Sequence, residues 1–96
     1  MVSRILVVDD NQDLADNLVE ILAEFGHEAV AAYGASEALQ AASQSAFDLA
    51  LVDIRMPEMA GIELVKRLMQ CAPCRAYLFM SAMSAEHAMT GGFLWR

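Results

Sequence analysis

The 96-residue sequence has no long apolar run and few basic residues. A membrane-spanning helix needs about 18 consecutive apolar residues, and the apolar run at residues 5–8 is also too short for the core of a secretory signal peptide. Six Lys and Arg against thirteen Asp and Glu give a net charge of −7. This charge disfavours non-specific binding to DNA or to anionic membranes. We therefore expect a cytoplasmic protein that contacts neither nucleic acid nor membrane directly.

Cysteine is scarce as well, and the two that occur, Cys71 and Cys74, are too few for a disulfide framework. A redox Cys-x-x-Cys motif needs its first thiol at the start of a helix, where the helix dipole lowers the thiol pKa. This pair instead follows the end of a predicted helix. A zinc site would need two more ligands, and His27 and His87 are distant in sequence. We interpret the spacing as coincidental.

Apolar residues make up 57% of the chain and charged residues only 20%. A disordered chain has the opposite bias, so we expect a packed core. The length fits one small domain, and we predict that residues 1–96 form it.

Short apolar runs alternate with amphipathic segments along the chain, which favours βαβ units and an α/β fold with a parallel sheet. Asn11 is a plausible helix N-cap and Gly26 a plausible helix stop, while Gly61 opens a later helix. The predicted strands are 5–8, 28–32, 47–53 and 76–80, and the predicted helices cover 12–25, 36–42 and the segment from Gly61, with a fourth beginning within 84–90.

Three of the predicted strands end in a polar side chain. Asp9 and Asp10 follow the first strand, Asp53 ends the third and Ser81 follows the fourth. Ligands of open parallel sheets bind at the carboxyl ends of the strands. If these strands are neighbours, the side chains meet at one edge, and clustered carboxylates without nearby His or Cys suit Mg²⁺.

Magnesium beside a carboxylate nucleophile is chemistry suited to phosphoryl transfer, and Ser81 would then hydrogen bond the transferred group. The alternative is structural, because a single Asp after a strand usually caps a helix or forms a turn. The pattern alone leaves both interpretations open.

Three segments resemble the response-regulator receiver domain of two-component signalling. They are Ile-Leu-Val-Val-Asp-Asp-Asn at 5–11, Leu-Val-Asp-Ile-Arg-Met-Pro-Glu-Met-Ala-Gly at 51–61, and Phe-Met-Ser-Ala at 79–82. The resemblance covers about residues 3–85. It implies a flavodoxin-like, doubly wound parallel sheet.

The resemblance also implies roles for individual residues. Asp53 would be the phosphoacceptor, and Asp9, Asp10, Asp53 and the backbone carbonyl of Arg55 would bind Mg²⁺. Ser81 would be the switch hydroxyl that turns toward the phosphoryl group. The partner would be a histidine kinase or a histidine phosphotransfer protein.

The chain departs from the family after about residue 85. The family has a Lys at the end of a fifth strand, followed by a fifth helix, whereas the single Lys of this chain, Lys66, falls in the predicted third helix. We favour a receiver that lacks its last strand, its last helix or both. The alternative is that residues 92–96 imitate the fifth strand, with Phe93 as its aromatic residue and Arg96 in place of the Lys.

We expect a phosphoryl-accepting signalling switch, not an enzyme with a free substrate. One alternative is a degenerate receiver that binds partners without being phosphorylated. Another is a small Mg²⁺-dependent phosphatase of the haloacid dehalogenase type, although that family needs Asp-x-Asp and this chain has Asp9-Asp10-Asn11. Loss of the last helix would expose apolar sheet surface, so we also expect a homo-oligomer, a swapped dimer or low stability.

Overall fold

The computed structural model describes residues 3–80 and 93–95. Strands and helices alternate along the first 80 residues, as the sequence predicts. The predicted start of a fourth helix at 84–90 lies outside the described residues. The elements are β1 (Arg4–Val8), α1 (Gln12–Glu24), β2 (Glu28–Ala32), α2 (Ala35–Gln44), β3 (Leu49–Asp53), α3 (Gly61–Cys71), β4 (Ala76–Met80) and β5 (Phe93–Trp95).

The strands form one sheet in the order β2-β1-β3-β4-β5. Strands β1 to β4 are parallel to their neighbours. The order reverses at β1, because β2 lies on one side of it and β3 on the other. This reversal is the doubly wound topology expected from the sequence, and it leaves β1, β3 and β4 side by side.

Helices cover both faces of the sheet. Helix α1 packs on one face, and α2 and α3 pack on the other. Because successive strand residues point to opposite faces, β1 contributes to both cores and is apolar throughout. The α1 face includes Ile5, Val7, Ala15, Leu51 and Met80, and the opposite face includes Leu6, Val8, Val52, Leu64 and Leu68.

Local chemistry sets the ends of α1. The side chain of Asn11 accepts a hydrogen bond from the Leu14 N–H at 3.1 Å, as expected of an N-cap. At the other end Gly26 has a φ of 90°, a left-handed conformation that glycine adopts readily. Both predicted helix boundaries are confirmed.

Strand β3 begins at Leu49, two residues later than predicted. The Asp48 carboxylate accepts a hydrogen bond from the Arg4 backbone N–H at 2.9 Å. The Arg4 N–H of β1 is therefore bound by a side chain, whereas a longer β3 would bind it with a backbone carbonyl. Phe47 is nevertheless buried, and the Arg4 guanidinium lies 5.1 Å from the centre of its ring.

Strand β5 runs antiparallel to β4, with Met80 opposite Phe93 and Leu78 opposite Trp95. It therefore leads away from the edge at which β1, β3 and β4 end. A strand that imitated the family's fifth strand would run the other way, so the interpretation of residues 92–96 as that strand is wrong. Arg96 lies outside the described residues.

Within residues 3–80 and 93–95, no helix has both the length and the apolar character needed to cross a lipid bilayer.

Candidate functional site

Three carboxylates meet at the carboxyl edge of the sheet. Asp9 directly follows β1 and Asp53 is the last residue of β3, which pairs with β1. The Asp9 N–H also donates to the Ala32 carbonyl at 3.0 Å, which extends the pairing with β2 by one residue. One carboxylate oxygen from each of Asp9, Asp10 and Asp53 lies within 4.8 Å of the other two.

The three acidic side chains differ in burial. Asp9 is 2% exposed and Asp53 is 4% exposed, whereas Asp10 is open to solvent. Charged carboxylates are rarely buried this deeply unless a cation or hydrogen bonds compensate for the lost hydration. The burial of Asp9 and Asp53 therefore sets this cluster apart from ordinary surface acids.

Each buried carboxylate accepts one backbone hydrogen bond from two residues ahead. The Asn11 N–H donates to Asp9 Oδ1 at 2.9 Å, and the Arg55 N–H donates to Asp53 Oδ1 at 3.1 Å. We did not predict these contacts, although Asp commonly bonds the backbone two residues on. They fix the orientation of both carboxylates, and among the described residues no hydrogen bond is donated to the second oxygen of either.

The pKa values of both buried carboxyls are raised. Burial is the main cause for Asp53, whose pKa rises from 3.8 to about 6, and repulsion from Asp9 adds to it while the Arg55 N–H opposes it. Burial also raises the pKa of Asp9, against the effect of the Asn11 N–H. The fold thus brings negative charges together at a buried position, which raises the pKa values of both carboxyls.

Gly61 allows the loop between β3 and α3 (residues 54–60) to turn back on Asp53. Its N–H donates to the Ile54 carbonyl at 2.8 Å. A Cβ atom at this position would overlap the backbone carbonyl oxygen of Asp53. No larger residue fits without moving the backbone that carries the buried carboxylate.

The donor set suits a hard divalent cation. Carboxylate oxygens are the ligands that Mg²⁺ prefers, and a cation would offset the repulsion that raises the two pKa values. In the described part of the chain, no Lys or Arg side chain forms an ion pair with the three carboxylates. No other group of three or more potential metal ligands occurs among those residues.

Other sequence candidates lie elsewhere. Ser81 falls outside the described residues. Lys66 is on the exposed side of α3, on a different element from the cluster. Cys71 and Cys74 are free thiols at and after the end of α3. Burial raises the pKa of Cys74, which is the opposite of what a reactive redox thiol requires.

Curated proteins with similar sequences are response regulators. A response regulator receiver protein of Anaeromyxobacter sp. is 44% identical over 86 residues, which is 90% of this chain and 36% of that protein. The uncharacterized transcriptional regulatory protein YrkP of Bacillus subtilis is 37% identical over 98% of this chain and 40% of its own length. The chain thus spans well under half the length of these relatives.

Solved receiver domains have the same fold. A response regulator receiver domain from Methanospirillum hungatei superimposes with a TM-score of 0.79 at 32% identity, over 93% of this chain and 72% of that one. The response regulator TrrA of Thermotoga maritima, solved in complex with Mg²⁺-BeF, gives a TM-score of 0.75 at 31% identity, over 90% and 75%. The predicted flavodoxin-like fold is confirmed.

A family model of the response regulator receiver domain matches residues 5–93, which include the whole acidic cluster and every element from β1, without its first residue, to the first residue of β5. The chain belongs to the response regulator receiver domain family.

Proposed function

We propose that the chain accepts a phosphoryl group on Asp53 from a phosphohistidine of a histidine kinase or a histidine phosphotransfer protein, with Mg²⁺ at the acidic cluster. Receiver domains act as phosphoryl-accepting signalling switches. The observation that carries the proposal here is the pair of buried carboxylates on adjacent strands, with Asp10 beside them and no Lys or Arg side chain of the described residues paired with them.

Asp53 is the proposed nucleophile because it holds the phosphoacceptor position of the receiver domain that the chain resembles, and a backbone hydrogen bond to one of its oxygens fixes its orientation. Oδ1 accepts the Arg55 N–H, and among the described residues nothing donates to Oδ2. In the transfer, Oδ2 would form a bond to phosphorus while the phosphorus–nitrogen bond breaks. The electron pair of that bond stays with the departing imidazole nitrogen.

The proposed cation ligands are Asp9, Asp10, Asp53 and the backbone carbonyl of Arg55. The structure supports the first three, because their oxygens are close enough to share one ion. Bound Mg²⁺ would neutralise charge on the phosphoryl oxygens. Asp9 and Asp53, held by their backbone hydrogen bonds, would contribute orientation without large rearrangement.

Phosphorylation by a small donor tests the proposal. The purified protein is incubated with Mg²⁺ and acetyl phosphate or phosphoramidate, and its intact mass is compared with that of Asp53→Asn. We expect wild type to gain one phosphoryl group and the variant to gain none. Omission of Mg²⁺ should abolish the gain. An equal gain in both proteins would show that the phosphoryl group is accepted by a residue other than Asp53.

A second candidate is a degenerate receiver that binds partners without phosphorylation. It is favoured by the position of Lys66, the single lysine, on α3 and away from the cluster. Ser81 is the proposed switch hydroxyl in the first function and has no such role in the second. A folded wild-type protein that gains no phosphoryl group would support the second function.

We further propose that residues 1–96 act as one receiver unit in the cytoplasm. The homo-oligomer or swapped dimer expected from the sequence stays a prediction. Light scattering over a range of protein concentrations tests that prediction.

A further inference from the structure

The junction between β2 and α2 (residues 33–36) forms side-chain hydrogen bonds to two other elements. On one side, the Tyr33 hydroxyl donates to Asp16 Oδ1 of α1 at 2.6 Å. The Tyr33 ring packs against the apolar core on the α1 face. The backbone N–H of Tyr33 donates to Glu37 Oε1 at 3.0 Å, which holds the junction against the first turn of α2.

On its other side the junction contacts the β3–α3 loop. Glu58 of that loop accepts hydrogen bonds from the Ser36 N–H at 3.4 Å and from the Ser36 hydroxyl at 3.3 Å. Gly34, the N-cap of α2, has no side chain to cap the helix. The Glu58 carboxylate therefore adds a second negative group at the start of α2, beside Glu37 of its first turn.

These two contacts connect the two halves of the acidic cluster. Asn11 caps α1 and its N–H binds Asp9, so α1 is continuous with the Asp9-Asp10 side. The β3–α3 loop directly follows Asp53 and contains Arg55, whose N–H donates to the Asp53 carboxylate. The junction at residues 33–36 is hydrogen bonded to both α1 and the loop.

We propose that this junction braces the metal site, and that Tyr33 and Glu58 are positioning residues which hold α1 and the β3–α3 loop at the separation that the cation requires. The inference rests on the proposed Mg²⁺ site. Neither residue touches the cluster, so each acts through the element it holds.

Three variants break the brace in different ways. Tyr33→Phe removes only the hydroxyl, and Glu58→Ala removes the carboxylate that accepts both hydrogen bonds from Ser36. Gly34→Ala leaves the side chains of Tyr33 and Glu58 unaltered. Its Cβ would lie 2.9 Å from Glu58 Oε1 and displace the carboxylate. The φ of Gly34 is −175°, which alanine also adopts.

The Kd for Mg²⁺, measured by isothermal titration calorimetry, is the first readout. We expect each variant to weaken Mg²⁺ binding about threefold to tenfold, the range that loss of one such hydrogen bond produces. Tyr77→Phe is the matched control, because its hydroxyl accepts the Cys74 N–H at 3.0 Å near the opposite edge of the sheet. Its Kd should equal that of wild type even if its thermal stability falls.

Hydrogen–deuterium exchange without metal is the second readout. In chelator, amides of residues 54–60 should exchange faster in Glu58→Ala and Gly34→Ala than in wild type, while amides of β1 keep their protection. Measurement at high salt removes the long-range effect of the Glu58 charge on Mg²⁺ affinity.

The outcomes separate the brace from the proposed function. If wild type binds Mg²⁺ and all three variants bind it equally well, with unchanged exchange in the loop, the brace is wrong and the metal site stands. A wild type that binds no Mg²⁺ would overturn the proposed function and the brace with it. Weaker binding in the three variants but not in Tyr77→Phe supports the brace.

Discussion

The two edges of the parallel sheet differ in the partners of their charged side chains. At the amino edge, where the strands begin, the Arg4 N–H binds the Asp48 carboxylate and Arg4 Nε lies 3.1 Å from Glu28 Oε1. At the carboxyl edge, where the strands end, Asp9 and Asp53 are buried beside Asp10. Among the described residues no Lys or Arg side chain pairs with them.

This difference separates residues that stabilise the fold from residues that the fold tolerates. At the amino edge the Asp48 carboxylate accepts a backbone hydrogen bond, so its removal should destabilise the protein. Charges at the carboxyl edge repel one another and have lost hydration, which raises the pKa of Asp9 and Asp53. Their neutralisation should therefore stabilise the metal-free protein, although it would remove the proposed phosphoryl-accepting function.

The largest expected effect follows from distortion of the carboxyl edge. Gly61→Ala places a Cβ against the Asp53 carbonyl oxygen, so the backbone must shift. We expect the free energy of unfolding to fall by about 2 to 4 kcal/mol, the range of strained or overpacked substitutions. Urea denaturation measures it. Gly26→Ala, at a φ of 90° but with nothing near its Cβ, is the control and should cost about 1 kcal/mol.

Asp53→Asn should stabilise the protein in the absence of metal. The variant keeps an oxygen for the Arg55 N–H but carries no buried charge. We expect a gain of about 1 to 3 kcal/mol at pH 7, from the energy equivalent of the pKa shift. Urea denaturation in chelator measures it, and Asp10→Asn, at an exposed position, should gain less.

The gain from Asp53→Asn should depend on pH with a definite sign. The folded pKa of about 6 lies above the ordinary 3.8, so the folded state holds this proton more tightly. Wild-type stability should therefore fall as pH rises from about 4 to about 6, and the variant, which keeps only the raised pKa of Asp9, should show a smaller slope. Equal slopes in the two proteins would show that the pKa of Asp53 is not raised in the folded protein.

At the amino edge, removal of a carboxylate should lower the free energy of unfolding instead of raising it. Asp48→Ala leaves the Arg4 N–H without its acceptor. We expect a loss of about 1 to 2 kcal/mol in urea denaturation, because the donor is partly buried. Asp48→Asn retains an acceptor oxygen and should lose less. A gain in stability for Asp48→Ala would remove the contrast between the two edges.

The smallest effect is expected for the side chain of Arg4, which is 39% exposed. Arg4→Met loses the contact with Glu28 and the stacking over Phe47. We expect a change of less than about 1 kcal/mol that shrinks with salt. Arg67→Met, which loses only a 3.8 Å contact to Glu63 within α3, is the control and should change stability least.

Features set by local chemistry were predictable from the sequence. The cap at Asn11, the stop at Gly26 and the strand at 28–32 were correct because caps, turns and short apolar runs depend on few neighbours. The meeting of Asp9 and Asp53 was predictable from one further rule, that parallel strands end at the same edge.

Features set by distant partners were not predictable. The late start of β3 depends on a side chain binding across to β1, and the direction of β5 depends on its pairing with β4. The hydrogen bonds of Tyr33 and Glu58 join residues 17 and 22 positions apart. No periodicity or motif in the sequence marks either contact.

One thermodynamic cycle tests the contrast between the two edges most directly. The free energy of unfolding is measured for wild type and Asp53→Asn, each in chelator and in saturating Mg²⁺. We predict that Asp53→Asn is the more stable protein in chelator. We also predict that Mg²⁺ stabilises wild type more than the variant, so that the difference shrinks or reverses. An Mg²⁺ effect of equal size in both proteins, or a less stable Asp53→Asn in chelator, would contradict the idea that this edge holds its negative charge for a cation.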